Sequence, residues 1–176
     1  MDSSLKDLET KGVISSAPEI YNPRKYFDRV LHFTPHVKDL ELQPLFEEWR
    51  ITLIHHPATY LNPCKILKSL LQVWRLMKNE RVDLVRGRLP YLGSLIACTC
   101  ARLHKIPSVV SLGGDNRIVQ ERNKIYNYNS RLISYAMEWL VLKLATRIIV
   151  PNQFTKSYVE GIIGKNYSDL KCVTIP

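Results

Sequence analysis

The sequence predicts an α/β fold, a doubly wound and mostly parallel sheet with helices on both faces. Two observations predict it. Short runs rich in Val, Ile and Leu recur at residues 82–85, 106–112 and 147–150, and segments with helical spacing of apolar residues separate them. A polar or glycine-bearing turn closes each run: 86–90, 113–117 and Pro151-Asn152. Strands that alternate with helices in this way pair in parallel, because each helix returns the chain to the starting edge of the sheet.

Taken in order, residues 5–9 form a short helix that Ser3 or Ser4 caps and Gly12 ends, glycine tolerating the left-handed conformation best. A proline-containing connector, 17–26, follows. Residues 29–34 alternate and end at Pro35, and residues 50–54 alternate and end at His55-His56-Pro57, so both read as strands, neighbours in one sheet. Residues 63–81 give the clearest helix, with Ile66, Leu67, Leu70, Leu71, Trp74 and Met77 recurring at helical spacing. Lys65, Lys68, Gln72, Arg75 and Lys78 lie on the other side. Residues 82–85 are a short strand, 91–104 a mostly apolar helix, and 106–112 a strand with Pro107 at its start, where a missing donor does least harm. A polar loop to about residue 129 leads into an amphipathic helix, 130–145, carrying Leu132, Tyr135, Ala136, Trp139, Leu140 and Leu144. The strand at 147–150 precedes a helix, 153–161, stopped by Gly161 and Gly164, and residues 171–175 form a last strand ending at Pro176.

Composition bounds the function. The chain has 176 residues, 45% of them hydrophobic, which fits one globular domain, and a formal net charge of +9 that attracts an anionic partner. The opening residues lack the apolar core of a signal peptide, and no stretch reaches the ~18 apolar residues of a membrane span. Cys64, Cys98, Cys100 and Cys172 show no C-x-x-C spacing and read as reduced thiols of a cytoplasmic protein, serving as small hydrophobes. His32, His36, His55, His56 and His104 make no helical zinc pair, so no metal is expected. The absence of a G-x-S-x-G elbow and of a G-x-x-x-x-G-K-[ST] loop argues against an α/β hydrolase and a P-loop nucleotidase.

Ligands of parallel sheets bind beyond the carboxyl ends of the strands, which selects two loops. In Gly113-Gly114-Asp115-Asn116-Arg117, paired glycines let backbone N–H groups approach an anionic or hydroxyl-rich ligand, beside three polar side chains. Arg86 and Arg88 flank Gly87 at the end of the preceding strand, where a guanidinium fork suits phosphate or carboxylate; alternation is expected to turn only one of them toward a cleft. Asn152 closes the next strand and joins the candidate cleft residues. The basic face and the tryptophan of the 63–81 helix also suit a peripheral membrane contact.

The ordered blocks Asp83-Leu84-Val85, Arg86-Gly87-Arg88-Leu89-Pro90, His104-Lys105-Ile106-Pro107, Ser108 to Asp115, Ala145 to Asn152 and Val173-Thr174-Ile175-Pro176 resemble the N-terminal domain of family 4 glycosyltransferases. Tyr21-Asn22-Pro23, with Phe27-Asp28-Arg29-Val30 and on to Thr34, is similar to the second-strand region of that domain. The resemblance implies a Rossmann-like half of the two-domain GT-B fold, which binds the acceptor while a C-terminal half binds the nucleotide sugar. It implies transfer of a hexosyl-type sugar from a nucleotide sugar to a glycan, lipid-linked or small-molecule acceptor, with no cofactor. No residue here is assigned as catalytic, and the expected partners are the sugar acceptor and a donor-binding chain or domain. Two departures stand out: Gly113 occupies a position where many relatives carry histidine, and the family's opening strand with its glycine-rich loop is absent. Those departures, with the end at Pro176, lead us to expect a fragment lacking the first strand and the donor-binding domain, incomplete as a catalyst by itself. The alternatives are a non-catalytic binding subunit or the remnant of a split glycosyltransferase, and, less in keeping with the dispersed basic residues, a nucleic-acid binder.

Overall fold

The computed structural model describes residues 5–10, 12, 14–34, 36–56, 62–113 and 128–175. The chain divides into two compact units, Met1–Ala58 and Thr59–Pro176.

In the first unit, helix α1 (Leu5–Thr10) ends at Gly12, whose φ of +69° is the left-handed conformation expected there. The expected caps, Ser3 and Ser4, lie outside the described residues. The connector expected at 17–26 is largely helical instead, with α2 (Ala17–Tyr21) followed by a 3-10 turn at Pro23–Lys25. Pro18 in the first turn of α2 accounts for this, because its missing N–H costs nothing where no partner exists. The buried Asn22 ties the turn down: its amide donates to the carbonyls of Phe27 and Trp49 at 3.0 and 2.8 Å, and its oxygen accepts the Phe27 N–H at 2.9 Å. Strands β1 (Val30–Thr34) and β2 (Ile51–His55) pair in parallel with Val30 opposite Ile51. They are joined through a 3-10 turn (Val37–Leu42) and α3 (Gln43–Glu47), both absent from the sequence reading. Contacts remote in sequence hold this crossover, since the Gln43 amide donates to the Ile51 carbonyl and its oxygen accepts the Leu53 N–H. Leu5, Ala17, Leu42, Phe46, Ile51 and Leu53 form the core.

The second unit starts with α4 (Pro63–Asn79), where Asn62 caps the first turn by accepting the Lys65 N–H. Four strands follow in sequence order as one parallel sheet: β3 (Val85–Arg88), β4 (Ser108–Ser111), β5 (Arg147–Val150) and β6 (Cys172–Thr174). The connections are α5 (Leu92–Leu103), α6 (Tyr128–Leu144) and the pair α7 (Gln153–Ile163) and α8 (Lys165–Lys171). Gly161 lies inside α7 and does not stop it; Gly164, with φ +88°, does. The core joins Cys98 of α5, Val110 and Leu112, Val141, Leu142 and Ala145, Ile148 and Val150, and Val159 and Ile163 of α7. Because Val110, Ile148 and Val150 occur at period two, they share one face of the sheet. Ser108 and Thr146 lock the starts of β4 and β5 together, each hydroxyl accepting the other residue's N–H.

Two further expectations need correction. The strand expected at 82–85 begins at Val85, where the Val85 N–H first reaches the Pro107 carbonyl at 3.0 Å. In α4, Leu67 and Leu71 do not pack inward with the other apolar residues. The buried line is Ser69, Val73 and Met77, with Leu67 and Leu71 exposed. The small Ser69 fits that packed line, and the Cys100 thiol of α5 lies 3.7 Å from the Leu70 carbonyl. No helix among the described residues is long and apolar enough to cross a membrane.

Candidate functional site

The site grows from the end of β3. Along this strand Val85 is buried, Arg86 exposed, Gly87 buried and Arg88 exposed. Residues two apart on a strand share a face. Both arginines therefore project from the same side of the sheet, contrary to the expectation that only one would, and both belong to the strand rather than to a loop after it. Gly87 fixes this orientation. A Cβ there would fall 2.7 Å from the Ser94 hydroxyl, 2.9 Å from Ser94 Cβ and 3.4 Å from a Val110 methyl. Only a residue without a side chain lets α5 approach so closely, which assigns that face to packing and the opposite face to the arginines.

The turn after β3 is held at both ends. Leu89 has φ +65°, uncommon for a branched side chain. Its N–H donates to the Ser111 carbonyl at 3.0 Å, and its own carbonyl accepts the Ser94 hydroxyl at 2.6 Å. The register sets Arg88 opposite Ser111 and Arg86 opposite Val109. Arg88 and Ser111 are thus side by side on one face, at the distance over which cross-strand side chains interact. The Ser111 hydroxyl oxygen is buried and has no hydrogen-bond partner among the described residues.

Gly113 follows two residues after β4, exposed, with nothing among the described residues within 4 Å of a Cβ built on it. No contact among the described residues calls for glycine there. Gly114, Asp115, Asn116 and Arg117 lie outside the described residues. Asn152, two residues past β5, caps α7: its side-chain oxygen accepts the Thr155 N–H at 2.9 Å and the Thr155 hydroxyl at 3.1 Å. Because β3, β4 and β5 are parallel neighbours, Arg88, Gly113 and Asn152 stand at the same carboxyl edge of the sheet.

Other chemistry is sparse. Among the described residues no group of three His, Cys, Asp or Glu side chains is placed to hold a metal ion. Burial pushes the thiols of Cys98 and Cys100 up to about 11, so both stay protonated at neutral pH and neither is a ready nucleophile. An open groove of about 340 Å³, lined by Arg102, Lys105, Ile106, Pro107 and Thr146, lies at the amino ends of β4 and β5, away from the arginine edge.

The sequence profile described as Glycosyltransferase Family 4 matches residues 24–176, a span that contains the six strands of the described residues together with Arg86 and Arg88. The chain belongs to glycosyltransferase family 4. No match to it is found among curated proteins. Within this glycosyltransferase domain, sequence reasoning missed Leu89, Ser94 and Ser111. A bulky residue before proline after an R-G-R strand hinted at Leu89. Nothing local pointed to Ser94 or Ser111, whose roles come from neighbours across the sheet.

Proposed function

We propose that this family 4 domain is the acceptor-binding side of a sugar transferase, moving a hexosyl-type unit from a nucleotide sugar to a glycan, lipid-linked or small-molecule acceptor. The observation that carries the reading is the placement of Arg86 and Arg88 on one face of β3, with Arg88 at its carboxyl end beside the Ser111 hydroxyl. Paired guanidinium groups favour an acceptor that bears a phosphate or carboxylate. Each can grip two oxygens of such a group, and the pair fixes its orientation as well as its presence. Anchoring the charged end of the acceptor orients its hydroxyl for attack and lowers the entropy lost in the transition state. The chain needs no cofactor for this work, and the nucleotide sugar binds mainly to a separate donor-binding domain or chain.

Transfer of radiolabelled sugar is the test, with the purified chain alone and with a family 4 donor-binding half added, against a panel of phosphorylated and neutral acceptors. Turnover that requires the added half and prefers the phosphorylated acceptors supports the proposal. Acceptor binding without turnover under either condition supports a non-catalytic binding subunit instead. Equal use of neutral acceptors removes the role given to the arginines.

A further inference from the structure

Beyond sugar transfer, and without resting on it, the geometry of α4 points to a second surface: we propose that this helix docks the protein in the plane of an anionic lipid surface. The packed line of α4 is Ser69, Val73 and Met77. On the opposite side the exposed residues Cys64, Leu67, Lys68, Leu71, Arg75 and Lys78 recur at steps of three and four, which gathers them on one face. Leu67 is 58% exposed and Leu71 41%. Lys68, Arg75 and Lys78 share their stripe, and no acidic residue occurs anywhere between Pro63 and Asn79.

This combination selects its partner. Exposed leucines occur elsewhere on this chain, but on α4 two of them alternate with three cations along one stripe, a pattern that a plain basic surface does not need. An interfacial helix uses both, its leucines entering the acyl boundary while the basic side chains stay at the headgroups. Charge complementarity is direct: the face is wholly basic among its charges, and the chain carries a net +9. Trp74, half-buried with Lys78 5.6 Å above its ring, puts an amphipathic aromatic residue on the same helix. Seventeen residues give α4 a length of about 25 Å, enough to present the whole stripe at once.

Cys64 supplies the probe, because it is exposed while Cys98 and Cys100 are buried and protonated; the half-buried Cys172 is replaced by serine in the labelled chain. The full chain, labelled at Cys64 with a polarity-sensitive dye, is mixed with phosphatidylcholine vesicles with and without about 30% phosphatidylglycerol, and co-sedimentation is measured in parallel. A blue shift and co-sedimentation with the anionic vesicles alone, lost at high salt, are expected. K68Q/R75Q/K78Q lowers the partition coefficient about 100-fold, roughly fivefold per cation. L67S/L71S lowers it at least about tenfold. All five positions are exposed, and circular dichroism confirms that the variants fold. Equal binding to neutral vesicles overturns the proposal. So does binding that L67S/L71S leaves unchanged and that duplex DNA competes away, which marks a plain basic surface. No vesicle binding by the folded wild-type chain overturns it as well.

Discussion

The Ser94 hydroxyl donates to the Leu89 carbonyl at 2.6 Å from a position only 2.7 Å from where a Cβ on Gly87 would stand. One serine therefore closes the turn after β3 and sets the size limit on the strand residue facing it. Gly87→Ala must displace that hydroxyl, and we expect a loss of about 1–3 kcal/mol in urea unfolding. Adding Ser94→Ala recovers only part of it, since Ser94 Cβ at 2.9 Å remains in the way. The two changes are then non-additive, as contacting residues are. Full additivity would show that they do not share this contact.

Arg86 and Arg88 are exposed on β3, so replacing them is expected to act on ligand binding, with circular dichroism to verify that each variant folds. Arg86→Gln and Arg88→Gln each weaken binding of a phosphate-bearing acceptor about tenfold or more, the scale of one charge-assisted hydrogen bond. Calorimetric titration reads this directly. Binding of a neutral acceptor stays within about twofold, and an equal loss for both acceptors contradicts a charge-specific role.

The strands were largely legible and the faces were not. Alternation places β1 and β2, and an apolar run closed by Pro151 places β5, within a residue of their observed ends, because these patterns are written locally. β3 slipped by three residues because Gly87 carries no apolar signal, and its burial is decided by α5. In α4 the apolar residues cover an arc wider than one packing line, and tertiary packing buries Val73 and Met77 while leaving Leu67 and Leu71 exposed. α3 and α8 escaped notice because helices this short owe their stability to remote partners. At the site, the arginines were visible as residue types, whereas their common face and the nearness of Ser111 belong to the register of β3 on β4.

Lys171 caps a helix from a distance. Its ammonium donates to the carbonyls of Leu142, Lys143 and Ala145 at the end of α6, while burial, followed by Arg102 and Lys143, holds its pKa below the usual lysine value. A cation at a helix carboxyl end meets carbonyls that have no partner within the helix. Lys171→Met keeps the stem and removes the donors, and we expect a loss of about 2 kcal/mol in urea unfolding. A change below about 0.5 kcal/mol, the range of ordinary surface substitutions, would mean that water serves these carbonyls equally well.

Asn22 plays the corresponding part in the first unit, where three hydrogen bonds join the start of the chain to Phe27 and Trp49. Asn22→Ala strands two carbonyls and one N–H in a buried setting, and about 2–4 kcal/mol of stability is lost. Asn22→Asp keeps the acceptor for Phe27 but sets a buried carboxylate oxygen against the two carbonyls, so it loses at least as much stability as the alanine variant. Hydrogen exchange at the Phe27 amide separates them: protection is lost in Asn22→Ala and kept in Asn22→Asp.

The buried thiols give the chain an alkaline limit with a definite sign. Burial pushes Cys98 and Cys100 up to about 11, against an ordinary value of 9.0, so between these values the folded chain keeps protons that the unfolded chain releases. Stability then falls as pH rises, because the state binding fewer protons is favoured. Their contribution is complete below about pH 9 and is lost as pH rises toward about 11. Urea midpoints measured from pH 8 to 10.5 should decline for the wild-type chain and decline less steeply for C98A/C100A, whatever the baseline cost of the cavities. Every other ionisable group is common to both proteins, so the difference in slope isolates the two thiols. Parallel slopes would show that neither thiol is held neutral by the core.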